Sequence, residues 1–97
     1  MSPEIAARLE GLRIGCVATA KGYYLFTRDD CAAFAQEQPA GLSLGSSGLM
    51  TEGGLAFLVW REGQPYLAVH GGSQVAATPE QVEGIRKFST DLKAALA

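Results

Sequence analysis

Histidine occurs once in this chain of 97 residues, at position 70, and cysteine only twice, at positions 16 and 31. The two cysteines lack a CxxC spacing, so neither a redox pair nor a zinc knuckle is written here. One histidine and two distant thiols fall short of the ligand set that a closed zinc site requires. No metal and no cofactor is therefore expected. Charge is also sparse, at 19% of residues, with 8 basic against 10 acidic side chains and a net charge of −2. Arg86 and Lys87 are adjacent, but two cations make no phosphate track, and nucleic acid is not an expected partner. No apolar run approaches the roughly 20 residues that span a bilayer, so no membrane partner is expected. The opening Met1-Ser2-Pro3-Glu4 has neither a charged n-region nor an apolar h-region. No export signal is expected, the expected location is cytoplasmic, and Cys16 and Cys31 read as free, buried thiols.

What the chain does have is apolar surface. Hydrophobic residues make up 47% of it, a large share beside so few charges in a small domain. Some of that surface is expected to be covered by a partner, most simply a second copy. The clearest element is the stretch 55–70. Leu-Ala-Phe-Leu-Val-Trp-Arg and Pro-Tyr-Leu-Ala-Val-His flank a short polar turn, Glu62-Gly63-Gln64, which is a β-hairpin signature. Leu55, Phe57 and Val59 fall on one side, Ala56, Leu58 and Trp60 on the other. Both sides are apolar, which predicts a strand covered twice, or once by helix and once by a partner.

The rest reads around that hairpin. Ser2-Pro3-Glu4 starts a helix over 3–10, with Ile5, Leu9 and Leu12 on one face and Gly11 as its stop. Residues 12–20 and Tyr23–Arg28 pair as a first hairpin across Lys21-Gly22. Asp29 or Asp30 caps a predicted helix over Cys31–Gln38, anchored by Phe34 and ended by Pro39 and Gly41. Residues 41–54 hold five glycines and four large apolar side chains and are predicted as a surface loop, with room for a short edge strand. Residues 71–77 are predicted as a second loop. Thr78-Pro79-Glu80-Gln81 opens a final helix with a capping box. Its apolar stripe is Val82, Ile85, Ser89, Leu92 and Leu96, with Phe88 beside it, and Gly84 is read as a close approach to the sheet. The expectation is one α+β domain over 1–97, with an antiparallel sheet of four to five strands packed by the N- and C-terminal helices, in the order α-β-β-α-(β)-β-β-α. In element order alone, with no shared motif, this is similar to profilin-like and roadblock-type domains.

No motif fixes a reaction. Gly41-Leu42-Ser43-Leu44-Gly45 matches GxSxG, and His70-Gly71-Gly72-Ser73 resembles an oxyanion loop, with Asp91 or Asp29 available as the acid. A nucleophile elbow needs a strand before the serine and a helix after it, and neither is predicted at residue 43. Gly48 and Gly53 have a phosphate-loop spacing, but Gly54-Leu55 stands where Lys-Ser/Thr is required. A nest of backbone N–H groups at Gly45, Ser46, Ser47 and Gly48 could hold an anion, with His70 and Gly71 as further ligand-binding candidates. Cys31 at a helix N-terminus, or Cys16, with His70 as base, are the catalytic candidates. The primary expectation is a non-enzymatic interaction or regulatory module that forms a homodimer or binds a protein, with Leu58, Trp60 and Tyr66 at its interface. The alternative is a small thiol/His enzyme or ligand-binding domain beneath the glycine-rich stretch.

Overall fold

The computed structural model of the chain describes every residue except Met1, Lys21, His70, Gly71 and Ser73. Helix α1 (Pro3–Gly11) is followed by seven strands: β1 (Gly15–Ala20), β2 (Tyr23–Arg28), β3 (Cys31–Gln38), β4 (Gly41–Thr51), β5 (Gly54–Arg61), β6 (Gln64–Val69) and β7 (Gln74–Ala76). Helix α2 (Pro79–Leu96) closes the order. The strands form one antiparallel sheet whose spatial order is the chain order, β1 to β7. Tight turns dictate this meander. Asp29 and Asp30, Pro39 and Ala40, Glu52 and Gly53, and Glu62 and Gly63 each join one strand directly to the next, which leaves the next strand nowhere to pair but beside its predecessor. At Glu62 and Gly63 the φ angles are 51° and 77°. Two positive values define the type I′ turn that matches strand twist, and glycine takes the second without strain.

The expected α+β class holds, but seven strands replace four to five, and the expected element order fails in three places. Cys31–Gln38 is strand β3, where a helix was predicted from its alanines. Residues 41–51 are strand β4, the longest in the sheet, where the sequence predicts a loop with at most a short edge strand. Gln74–Ala76 adds strand β7 within the second predicted loop. Without a helix between the hairpins, the likeness in element order to profilin-like and roadblock-type domains is lost. The physical reason is tertiary. Alanine's helix preference is worth less than 1 kcal/mol per residue, and β3 pairs along its length with both β2 and β4.

Both helices lie on one face of the sheet, here the inner face. Phe26, Ala33, Ala35, Ala56 and Leu67 point inward and are buried. The short side chains of Ala33 and Ala35 let α2 approach closely, so that Phe88 and Leu92 are sealed at 1% and 0% exposure. Val82, Ile85 and Leu92 form the buried stripe as the periodicity predicts. Phe88 and Ala95 also lie in it, while Ser89 and Leu96 sit half-buried at its margin. Both predicted helix starts are present. Ser2 Oγ accepts from Ile5 N at 3.2 Å, and Thr78 and Gln81 exchange side-chain-to-backbone bonds at 2.9 and 3.1 Å. Two arginines tie the helices down. Arg8 donates to Ala95 O and Ala97 O at 3.1 and 2.8 Å, capping the end of α2. Arg28 donates to Leu12 O at 3.1 Å and pairs with Asp91 at 2.9 Å, beneath the Phe88 ring.

Gly84 does not mark a close approach. A Cβ built there meets nothing within 4 Å. Gly84→Ala is expected to stabilise the protein by up to about 1 kcal/mol, raising the melting temperature by roughly 4–8 °C. Thermal unfolding followed by circular dichroism measures this, and an unchanged or lower melting temperature contradicts it.

Candidate functional site

Register settles which side chains share the outer face, the side away from the helices. One row across the sheet carries Val17, Leu25 and Phe34, then Val59, Tyr66 and Ala76 on the far side of β4. The next row is Gly15, Thr27, Ala32, Gly48, Phe57, Ala68 and Gln74, small apart from Phe57 and the polar Gln74 at its end. Tyr23, Met50 and Leu55 extend the apolar surface. Val17, Met50 and Phe34 are 59%, 46% and 40% exposed, and no helix lies over them. Among the described strand residues pointing this way, Arg61 is the single charge. An antiparallel sheet whose outer side meets only water ordinarily alternates polar residues there.

The three expected interface residues do not share one face of the sheet. Tyr66 lies on the outer face opposite Val59. Leu58 and Trp60 lie on the inner face, where Leu58 packs against the core and Trp60 is 54% exposed.

Trp60 instead forms part of a cleft of about 720 Å³ between α2 and the sheet. The sheet supplies Leu44, Ser46, Ser47, Leu58 and Trp60, and the helix supplies Ile85, Arg86, Ser89, Thr90 and Lys93. Of the expected ligand-binding residues, Gly45, Ser46 and Ser47 line this cleft, in β4 rather than in a loop. Ala33 pairs with Ser47 and Ala35 with Leu44, so Gly45 and Ser46 together face Phe34. That two-against-one arrangement is a β-bulge, which bends the strand and interrupts its ladder. Ser47 Oγ is buried beside it with no hydrogen-bond partner. Gly48 is not part of the cleft, because it points outward.

The nucleophile candidates are not brought together with a base. Cys16 is exposed on edge strand β1, contrary to the buried thiol expected there, and Cys31 is buried at the start of β3. Since residue 31 begins a strand, its thiol does not cap the helix predicted over 31–38. Burial pushes both thiols above their ordinary range, with Asp29 and Asp30 adding to the effect at Cys31 and Arg28 opposing it. Both are therefore protonated at neutral pH. A maleimide at pH 7 is expected to label Cys16 readily and Cys31 at least about a hundredfold more slowly, with both rates rising with pH. Fast labelling of Cys31 below pH 7 contradicts this. His70 and Gly71 lie outside the described residues. Ser43, the serine of the GxSxG match, sits mid-strand in β4, and Asp91 is committed to Arg28.

Comparison with known protein families, with curated proteins and with solved structures finds no match for this chain. The chemistry of its two surfaces is thus the whole basis for a functional reading. Several residues of these surfaces escaped the sequence reading. The sequence pattern puts Phe34 in a helix and marks Val17 and Leu25 only as strand residues. Arg86, Ser89, Thr90 and Lys93 carry a detectable signal, since they recur at helical spacing along one side of α2.

Proposed function

We propose that the protein is a self-associating interaction module whose outer sheet face packs against the same face of a second copy. One observation carries this reading: an apolar, almost chargeless sheet face with no element above it among the described residues. The helices cover the inner face over its middle strands and leave Trp60 and Val75 open at its far end, whereas the outer side of β5 has no described helix above any of its apolar residues. Its neutrality favours a second copy. A two-fold axis sets each face against itself, and a charged face would repel its twin, while this one has only Arg61 at its margin. Its size also suits a dimer. Seven strands about 4.8 Å apart, each of some six residues at about 3.3 Å, give on the order of 600 Å² per copy before side-chain relief, near the roughly 800 Å² per partner of standard interfaces.

The test is sedimentation equilibrium of the full chain across a concentration series. The expected result is twice the 10.2 kDa chain mass at tens of micromolar, with dissociation on dilution. A monomer at every concentration overturns the reading.

A further inference from the structure

We propose that the cleft between α2 and the bulge of β4 is a binding site for a small planar anion, an aromatic carboxylate in chemical class. The cleft divides into two chemistries. Toward the sheet, Leu44, Leu58 and the Trp60 ring give an apolar wall, with Ile85 facing it from the helix. An exposed indole beside such a wall offers a stacking surface for another ring. Along the helix, Arg86 and Lys93 stand seven residues apart, close to two full turns, so both lie on the same side about 10 Å apart. Ser89 and Thr90 fall between them and add hydroxyl donors. A carboxylate placed at those hydroxyls sits between the two cations while its ring reaches the indole.

The charge balance favours an anion. The chain has 10 acidic and 8 basic side chains, yet the described lining of this cleft includes two cations and no carboxylate. Glu83 approaches Arg86 at 3.6 Å, but both side chains are largely exposed, and such a pair holds a guanidinium only weakly. Lys93 makes no ion pair among the described residues. The bulge supplies an independent observation. Ser47 Oγ, buried and unpartnered in the cleft wall, is the single such side-chain oxygen among the described residues, so one hydroxyl of this wall has its hydrogen bond unmade by the protein. The cleft opens on the inner side of the sheet, so covering the outer face leaves it accessible.

Titration followed by amide and indole NMR tests the proposal, because Trp60 is the only tryptophan and gives one indole N–H signal. The probes are benzoate, benzylammonium and inorganic phosphate. Benzoate is expected to shift the Trp60 indole and the Ser89 and Thr90 amides saturably, with half-saturation near or below about 1 mM. Benzylammonium and phosphate are expected to leave them in place at the same concentration. The exposed-site variant R86E/K93E is expected to weaken benzoate by at least about tenfold with the remaining spectrum unchanged. Equal binding of benzylammonium removes the role of the cations, and equal binding of phosphate removes the role of the ring. Either result overturns the proposal, as does an unaltered benzoate titration in R86E/K93E.

Discussion

Gly48→Ala is expected to destabilise the protein by about 2–4 kcal/mol, a large part of the roughly 5–15 kcal/mol available to a domain of this size. The cause is a close approach of two backbones. A Cβ at position 48 would overlap the Ala56 carbonyl oxygen and come within 2.9 Å of its carbonyl carbon and 3.2 Å of Phe57 Cα. All three belong to the main chain of β5, which cannot swing aside as a side chain would. The strands must part at the Gly48–Phe57 and Leu49–Ala56 pairs. Those are two of the four pairs that hold β5, and through it β6 and β7, to the rest of the sheet. Gly53→Ala is the matched control. The nearest atoms to its new methyl are side-chain atoms at 3.9 Å, so it is expected to change stability by less than about 0.5 kcal/mol. Urea unfolding of both variants checks the contrast. Parental stability in Gly48→Ala contradicts the pairing of β4 with β5.

Phe34→Lys is expected to raise the dimer dissociation constant by about two to four orders of magnitude while leaving the fold intact. Phe34 projects from the middle of the outer face and is already 40% exposed, so a lysine there costs the isolated chain little. In a two-fold pair each substitution acts twice, placing two unpaired ammonium groups in an apolar contact. Trp60→Lys is the informative control, because Trp60 is on the other side of the sheet. It is expected to abolish benzoate binding and leave the dimer unchanged. Leu58→Lys is uninformative about association, since that side chain packs against the core. Equal dissociation constants for Phe34→Lys and the parent chain place the contact elsewhere.

Both helices were legible in the sequence because their caps are local chemistry. Ser2 and Thr78, each followed by proline, specify a helix start whatever surrounds them. The β1–β2 and β5–β6 hairpins were legible because aromatic and branched residues flank short turns. Strand β3 was not. Cys-Ala-Ala-Phe-Ala has no branched residue, and its alanines are small because α2 presses on one side of the sheet, a constraint that only the assembled fold imposes. Strand β4 was hidden by its own bulge. Leu42 and Leu44 alternate inward, but Gly45 and Ser46 insert one extra residue before Ser47 and Leu49 resume, and the broken period reads as a loop. The apolar character of both sides of β5 was visible in the sequence. Which residues share a side across seven strands was not, because that follows from register, so Tyr66 was grouped with Leu58 and Trp60 although the sheet separates them. The ligand candidates at Gly45, Ser46 and Ser47 fell at the cleft, but for glycine content rather than for the bulge that sets them there.

The most direct measurement is an isotope-filtered NOE experiment on a mixture of labelled and unlabelled chains, which reports only contacts between copies. Methyl groups of Leu25 and Val59 in one copy are predicted to contact the rings of Phe34, Phe57 and Tyr66 in the other. Cross-peaks confined to strand edges, to the helices or to Trp60, or no intermolecular cross-peaks at concentrations where the mass is dimeric, would contradict an outer sheet face closed by its own twin.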